Sequence, residues 1–379
     1  VVRTAASPVT GSFFTEIESL RGIACFLVLL LHMQGWLRWG LEDPSGWWPV
    51  RVLMLSGHTG VSLFFVISGF LLGRPFIAEM RGGARVPRRS YAARRARRIL
   101  PLYVLAVVVA SAATATHLVH LLRGLPYLLF LQAVPGLTER LSPFSEVWWS
   151  LSTEVQCYLL LPLLPLVWAR FGRRGTVVAG TLAVLAYLAL ALRWWAPRDG
   201  LTSVALMHSV LGRGPVFACG VAAAAVWVAW GEPLRARLAG SFWWRHGIAD
   251  LLIVLNFTAL MMLLGWVASM GYWAAEREWQ IWHLLEGVLW STWLLGMLCL
   301  PARLKILFCN PIWAGLGVIS YSVYVWHHPI IVYWSCWVPG AVGADLRALV
   351  IGAGGVIVTT VALSALSYRF VERPFLRRD

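Results

Sequence analysis

The sequence predicts an all-α polytopic membrane protein of about ten transmembrane helices, and three observations carry that expectation. Hydrophobic residues fill 59% of the 379 positions, charged residues only 13%, and the mean hydropathy is +0.71. Apolar runs long enough to cross a hydrocarbon core, about 20 residues each, recur along the chain. Lysine and arginine fall in short clusters between those runs. In lipid every backbone polar group must be satisfied within its own segment, so such runs are read as helices. The net charge of +15 is then a topology signal rather than a nucleic-acid footprint.

Taken in order, the first run, 20–39, is too long for the apolar core of a signal peptide and has no small-residue cleavage site behind it. It is read as a working helix. Further spans are expected at 52–73, 99–119, 147–169, 175–196, 203–230, 248–270, 280–301, 311–334 and 347–368. A shorter apolar piece, 121–134, contains Arg123 and Pro126 and is expected to be re-entrant or interfacial. With that piece left out of the count, the dense basic clusters share one side. They are the nine arginines from Arg74 to Arg98, then Arg170, Arg173 and Arg174, then Arg235, Arg237 and Arg245. Arg303 with Lys305, and Arg369, Arg373, Arg377 and Arg378, complete the set. An excess of Lys and Arg marks the cytoplasmic face, which places both termini there. The longest polar interval, Arg74 to Arg98, is too short and too basic to bury a core. Residues 1–379 are therefore expected to form a single transmembrane domain with no appended soluble domain. Cys25, Cys157, Cys219, Cys299, Cys309 and Cys336 stand singly, mostly in apolar segments, and are read as packing residues, with no disulfide framework and no metal site expected.

Ionisable residues at membrane depth each cost several kcal/mol unless paired or solvated, so they are functional candidates. On the first helix Arg21 and His32 are eleven residues apart. At about 100° per residue they return to one face, roughly 16 Å apart along the axis. The helix thus carries a polar stripe from the basic surface to mid-membrane. The structural alternative for His32 is an interhelical hydrogen bond. In WWSLSTEVQCYLLLP, Glu154 lies about 10 Å below the opposite surface, near the depth of His32. A carboxylate there is a natural orienting partner for a histidine that becomes cationic in a reaction; hydroxyls such as Ser150 and Thr153 offer it a structural role instead. Arg213 and Glu286 are further buried charges, expected to pair with each other or with Glu154. In GVISYSVYVWHHPI, Ser320, Tyr324 and His327 share a face near the outer mouth, and Pro329 is expected to bend or end the helix. The run RRSYAARRARRILPLY sets Arg95 and Arg98 one turn apart, with Arg94 beside them. Such a group binds anionic lipid headgroups or a polyphosphate.

These parts suit a ligand that is polyanionic at the basic face and reactive at mid-membrane. Acyl-coenzyme A fits, with its phosphates on the arginines and its thioester presented to His32. His32 then serves as general base on an acceptor hydroxyl or as a transient acyl carrier. A transporter is the competing class, but it predicts inverted repeats or broken helices at matching positions in two halves, and no such symmetry is present. A scaffold role leaves the Arg21/His32 stripe and Glu154 unexplained.

The residues also carry a family resemblance. IESLRGIACFLVLLLH, GVSLFFVISGFLL, RRARRILPLY, WSLSTEVQCYLLLP, SYSVYVWHHPI and the terminal VERPF stand in the order found in the bacterial acyltransferase-3 family of integral-membrane O-acyltransferases, and the chain resembles that family nearly end to end. The resemblance places Arg21 and His32 on the family's first-helix arginine and histidine, Arg95 and Arg98 on its arginine pair, and Glu154 and His327 on later landmarks. It implies an acyl-CoA co-substrate, transfer of an acetyl or other short acyl group to a hydroxyl of a saccharide or glycosylated molecule, and a catalytic first-helix histidine in a bacterial inner membrane. Where the family commonly has aspartate and glycine, this chain has Glu18 and Ser19. Some members carry an appended soluble esterase-like domain; without one, direct transfer to the acceptor is the expectation here. The expected set is thus His32, Glu154 and Arg21 for catalysis, Arg94, Arg95, Arg98 and Arg21 for the donor, and His327, Tyr324, Ser320 and Arg213 for the acceptor.

Overall fold

In the computed structural model, which describes residues 10–37, 48–132, 138–194, 207–242, 244–270, 279–343 and 346–376, every regular element is helical. Among the described residues eight helical segments are long and apolar enough to cross a membrane, and one bent pair adds a ninth candidate. The elements that build the site are α1 (Thr10–Leu37), α2 (Thr59–Met80), α3 (Arg88–Thr114), α4 (Trp149–Leu160), α5 (Leu164–Trp194), α6 (Val210–Val226), α7 (Ala249–Met270), α8 (Trp279–Cys299), α9 (Pro311–Val318) and α10 (Ser320–Trp337). The C-terminal segment Leu346–Leu376 closes the bundle.

Several boundaries differ from the sequence expectation. The third helix begins earlier than the expected 99: α3 starts at Arg88, directly after the extended Pro87, and runs through Pro101. The arginines are thereby fixed on a helical surface. The fourth and fifth expected spans form one long helical run, Trp149–Tyr187, interrupted at Gly172, whose φ of 64° belongs to the left-handed region that glycine enters without penalty. The ninth expected span bends by 69° between Val318 and Ser320, while α10 continues through Pro329 to Trp337. Pro329 therefore neither ends the helix nor makes its sharp bend. Helix α9 starts independently because Asn310 caps it, accepting from the backbone N–H groups of Ile312 and Trp313 at 3.1 Å each, with Pro311 in the first turn.

The piece expected to be re-entrant or interfacial forms a 3₁₀ turn, Leu118–Gly124, followed by the short helix Leu125–Leu128. Both are too short to span, and Leu118, Leu122 and Leu125 are exposed. Residues 133 and 134 of that piece, and the chain ends whose side was inferred from charge, lie outside the described residues.

Close backbone approach holds α1 in place. A Cβ on Gly22 would come within 2.0 Å of the Trp313 carbonyl oxygen, and one on Gly317 within 1.8 Å of the Glu18 carbonyl oxygen. Small residues let membrane helices pack this tightly, where van der Waals contact replaces the hydrophobic drive of water. The crossing presses the Arg21 end of α1 against α9, so its next turns run along α10.

Candidate active site

Cys25 and His32 of the α1 stripe both meet α10. Cys25 Sγ lies 3.6 Å from the Ser320 carbonyl oxygen, and about two turns on, His32 meets His327. Between α1, α2, α3, α4 and α10 lies a cavity of about 120 Å³, whose lining includes Arg21, Arg95, Arg98, Glu154, Ser320 and Tyr324. Residues chosen from distant parts of the sequence thus share one wall. Arg21 pairs with Glu18 at 3.2 Å, and Arg98 faces the buried Glu372 at 3.7 Å. Glu372 also accepts a hydrogen bond from Ser322. Glu154 accepts from Ser68, whose oxygen lies 3.5 Å from the Tyr158 hydroxyl. The Nη2 atom of Arg98 and the Oγ atom of Ser320 are buried without a hydrogen-bond partner. Leaving such groups unmet costs about 1–3 kcal/mol each, so their presence in a cavity wall suits a ligand with acceptor oxygens.

Tyr324 lines the same cavity. Its hydroxyl donates to the Val147 carbonyl oxygen at 2.7 Å and lies 2.6 Å from Ser150 Oγ. One turn further along α10 stands a cluster of three imidazoles. The ring centroids of His32 and His327 are 5.0 Å apart, and those of His32 and His328 are 5.4 Å apart. His328 Nδ1 donates to the Pro143 carbonyl oxygen at 2.6 Å, and the Glu146 carboxylate lies 3.9 Å from the same atom. Trp36 stands edge-on to His328 with centroids 5.8 Å apart.

His32 and His327 lie outside the cavity lining, and three further sequence expectations are met differently. Glu154 is engaged by Ser68 rather than by His32, whose partners are the Val28 carbonyl and His327. Arg94 is exposed, one residue around the helix from the cavity-lining Arg95. Arg213 is fully buried but outside the cavity lining: its Nη1 donates to Ser62 Oγ at 3.2 Å, Ser62 donates to Glu286 at 2.6 Å, and its guanidinium lies 5.3 Å from the Trp149 ring centroid. The expected Arg213–Glu286 pairing is therefore made through a serine. The sequence reading missed Ser68, Tyr158 and Glu372. Tyr158 was findable, lying four residues beyond Glu154 on the same helical face; Glu372 stood inside a recognised motif without a role.

The family model for the acyltransferase domain matches residues 14–369. The O-acetyltransferase OatA of Staphylococcus aureus is 23% identical over 97% of this chain and 58% of its own length. Nodulation protein 10 of Rhizobium leguminosarum bv. viciae is 24% identical over 96% of this chain and 93% of its own. A putative peptidoglycan O-acetyltransferase, YrhL of Bacillus subtilis, is 24% identical over 84% of this chain and 50% of its own. The chain thus spans only 58% of the length of its Staphylococcus relative. No solved structure matches. With that match running from the first helix to residue 369, the chain belongs to the acyltransferase-3 family.

Proposed function

We propose that this protein is a membrane-bound O-acyltransferase that moves a short acyl group, acetyl in the simplest case, from cytoplasmic acyl-CoA to a hydroxyl of a glycan or glycosylated molecule. The observation that carries the reading is the shared cavity: Arg21, Arg95 and Arg98 line it together with Glu154, Ser320 and Tyr324, and the imidazole cluster, outside its lining, stands one turn beyond Tyr324 on α10. In this reading the arginines hold the donor's phosphates by charge-assisted hydrogen bonds. Arg94, on the exposed side, adds only to the surrounding field. The pantetheine arm passes Glu154 and brings the thioester to Tyr324, three residues and about 4.5 Å of helical rise from His327.

His32 then takes the proton of the acceptor hydroxyl. The oxygen attacks the thioester carbonyl, the tetrahedral oxyanion collapses, and the carbon–sulfur bond breaks to release the coenzyme A thiolate, which the proton on His32 neutralises. A transient acyl-histidine uses the same ring nitrogen as nucleophile. Acceptor contacts from Ser320, Tyr324 and His327 belong to the same proposal, as does a ten-span arrangement with both termini in the cytoplasm of a bacterial inner membrane. Relatives named as O-acetyltransferases, one of them for peptidoglycan, support a glycan hydroxyl as acceptor.

The test uses protein purified into nanodiscs. Acyl-CoA should bind in a salt-sensitive way, and Arg95→Ala combined with Arg98→Ala should weaken it. Binding that ignores those arginines removes the donor assignment. Comparing acyl masses on cell-envelope glycans and secreted glycosides with and without the protein then identifies the acceptor.

A further inference from the structure

We infer that His327 is a positioning residue for His32, acting as a neutral hydrogen-bond acceptor that fixes the proton of His32 on Nδ1 and leaves Nε2 as the reactive nitrogen. The inference gives a mechanistic place to a residue first assigned to the acceptor site, and only its activity arm rests on the acyltransferase reading above.

The protonation pattern follows from the partners. His327 Nδ1 lies 2.8 Å from the Tyr324 carbonyl oxygen and 3.1 Å from that of Val323. Carbonyl oxygens only accept, so in the neutral ring Nδ1 carries the hydrogen and Nε2 keeps its lone pair. That lone pair lies 3.3 Å from His32 Nδ1. His32 Nδ1 in turn lies 2.9 Å from the Val28 carbonyl oxygen. Both neighbours of that nitrogen are acceptors, so it too is the protonated one, and its hydrogen is shared between Val28 and His327. The result is a directed chain: His32 Nδ1–H to His327 Nε2, and His327 Nδ1–H to the backbone of its own helix. With His327 so protonated, the opposite tautomer of His32 would turn its Nδ1 lone pair toward both the lone pair of His327 Nε2 and the Val28 carbonyl oxygen.

This arrangement performs the orienting task that a carboxylate performs in a serine hydrolase triad, without a formal negative charge in direct contact. Burying a carboxylate beside a neutral imidazole costs several kcal/mol, whereas a neutral ring that is 1% exposed and already hydrogen-bonded adds no such cost. When His32 gains a proton on Nε2, its Nδ1–H becomes a stronger donor and the bond to His327 tightens. The same geometry serves a base and an acyl-carrying histidine, since both use Nε2.

The experiment compares wild type, His327→Leu and His327→Gln in nanodiscs with ¹⁵N-histidine labelling, using His32→Ala to assign the His32 signals. Gln presents an amide oxygen near the place of Nε2; Leu presents no acceptor. The wild type should show His32 protonated at Nδ1, the Leu variant a mixture of tautomers, and the Gln variant a return to Nδ1–H. In turnover, Leu should lower kcat on the order of 100-fold with donor and acceptor KM within about twofold, and Gln should recover most of it. An unchanged His32 tautomer in the Leu variant overturns the inference, as does a loss confined to acceptor KM, which would return His327 to substrate binding. If the Leu variant does not fold, wild-type protein with His32 protonated at Nε2 overturns it equally. Should His32→Ala keep its turnover, the proposed role of His32 in transfer falls, while the ¹⁵N spectra still decide the relay.

Discussion

The two polar regions that meet at Tyr324 are made of opposite materials. On one side Arg21, Arg95 and Arg98 carry formal charge, two of them facing carboxylates from α1 and the C-terminal segment, and Arg98 keeps a donor unspent. On the other side His32, His327 and His328 each engage a backbone carbonyl through Nδ1. Formal charge inside a membrane protein is costly unless paired, so it is placed where it can recruit an anion. In the proposed reading the reacting centre needs a group that can change its charge, and an imidazole supplies that at lower standing cost than a permanent charge. On the same reading, binding and chemistry therefore fall to different residues, with Tyr324 of the cavity lining one turn of α10 from His327.

The largest effect should come from the imidazole side. His32→Ala should lower kcat by about 100-fold or more while leaving acyl-CoA affinity within about twofold, measured by turnover and by equilibrium binding on the same preparation. Retained turnover would return His32 to the structural histidines. The arginine side should show the reverse split. Arg95→Ala with Arg98→Ala should weaken acyl-CoA binding about 100-fold, roughly 2.8 kcal/mol, and flatten its salt dependence. A loss of kcat with affinity intact would mean the two regions do not divide the work.

How much of this was legible in the sequence depended on the range of the interaction involved. The Arg21 and His32 stripe was readable because both residues lie on one helix, where spacing alone fixes the face. The Arg95 and Arg98 pair was readable for the same reason, and their place in the cavity agrees with it. Glu154 lines the cavity, but its partner is Ser68 and not the expected His32. Depth in the bilayer says nothing about which helices are neighbours, and α2 delivers Ser68 to it before α1 can deliver His32. Pro329 misled because an internal proline removes only one backbone bond; the bend instead follows a capped helix start at Asn310 and the close approach of Gly317 to α1.

That approach supplies a smaller test of how the regions are held. Gly317→Ala would set a methyl group 1.8 Å from the Glu18 carbonyl oxygen, a backbone atom that cannot turn aside. Overpacking of this kind costs about 2 kcal/mol, which should lower the thermal midpoint in detergent. Because Glu18 holds Arg21, donor affinity should fall with it, while His32, further along α1, keeps its partner. An unchanged midpoint would show that the α1–α9 crossing yields easily.

The smallest effect is also the sharpest test of the arginine side. Arg94 and Arg95 are chain neighbours with the same charge, so a diffuse basic surface would use them alike. They differ only in direction: Arg95 lines the cavity and Arg94 is exposed, about 100° around α3. An exposed charge contributes roughly 0–1 kcal/mol and is screened by salt. Arg94→Ala should therefore leave acyl-CoA affinity within about threefold at physiological salt, with any effect largest at low ionic strength. If it instead matches the Arg95→Ala and Arg98→Ala loss, the basic helix attracts the donor as a whole. The cavity wall would then lose its claim to be the donor site.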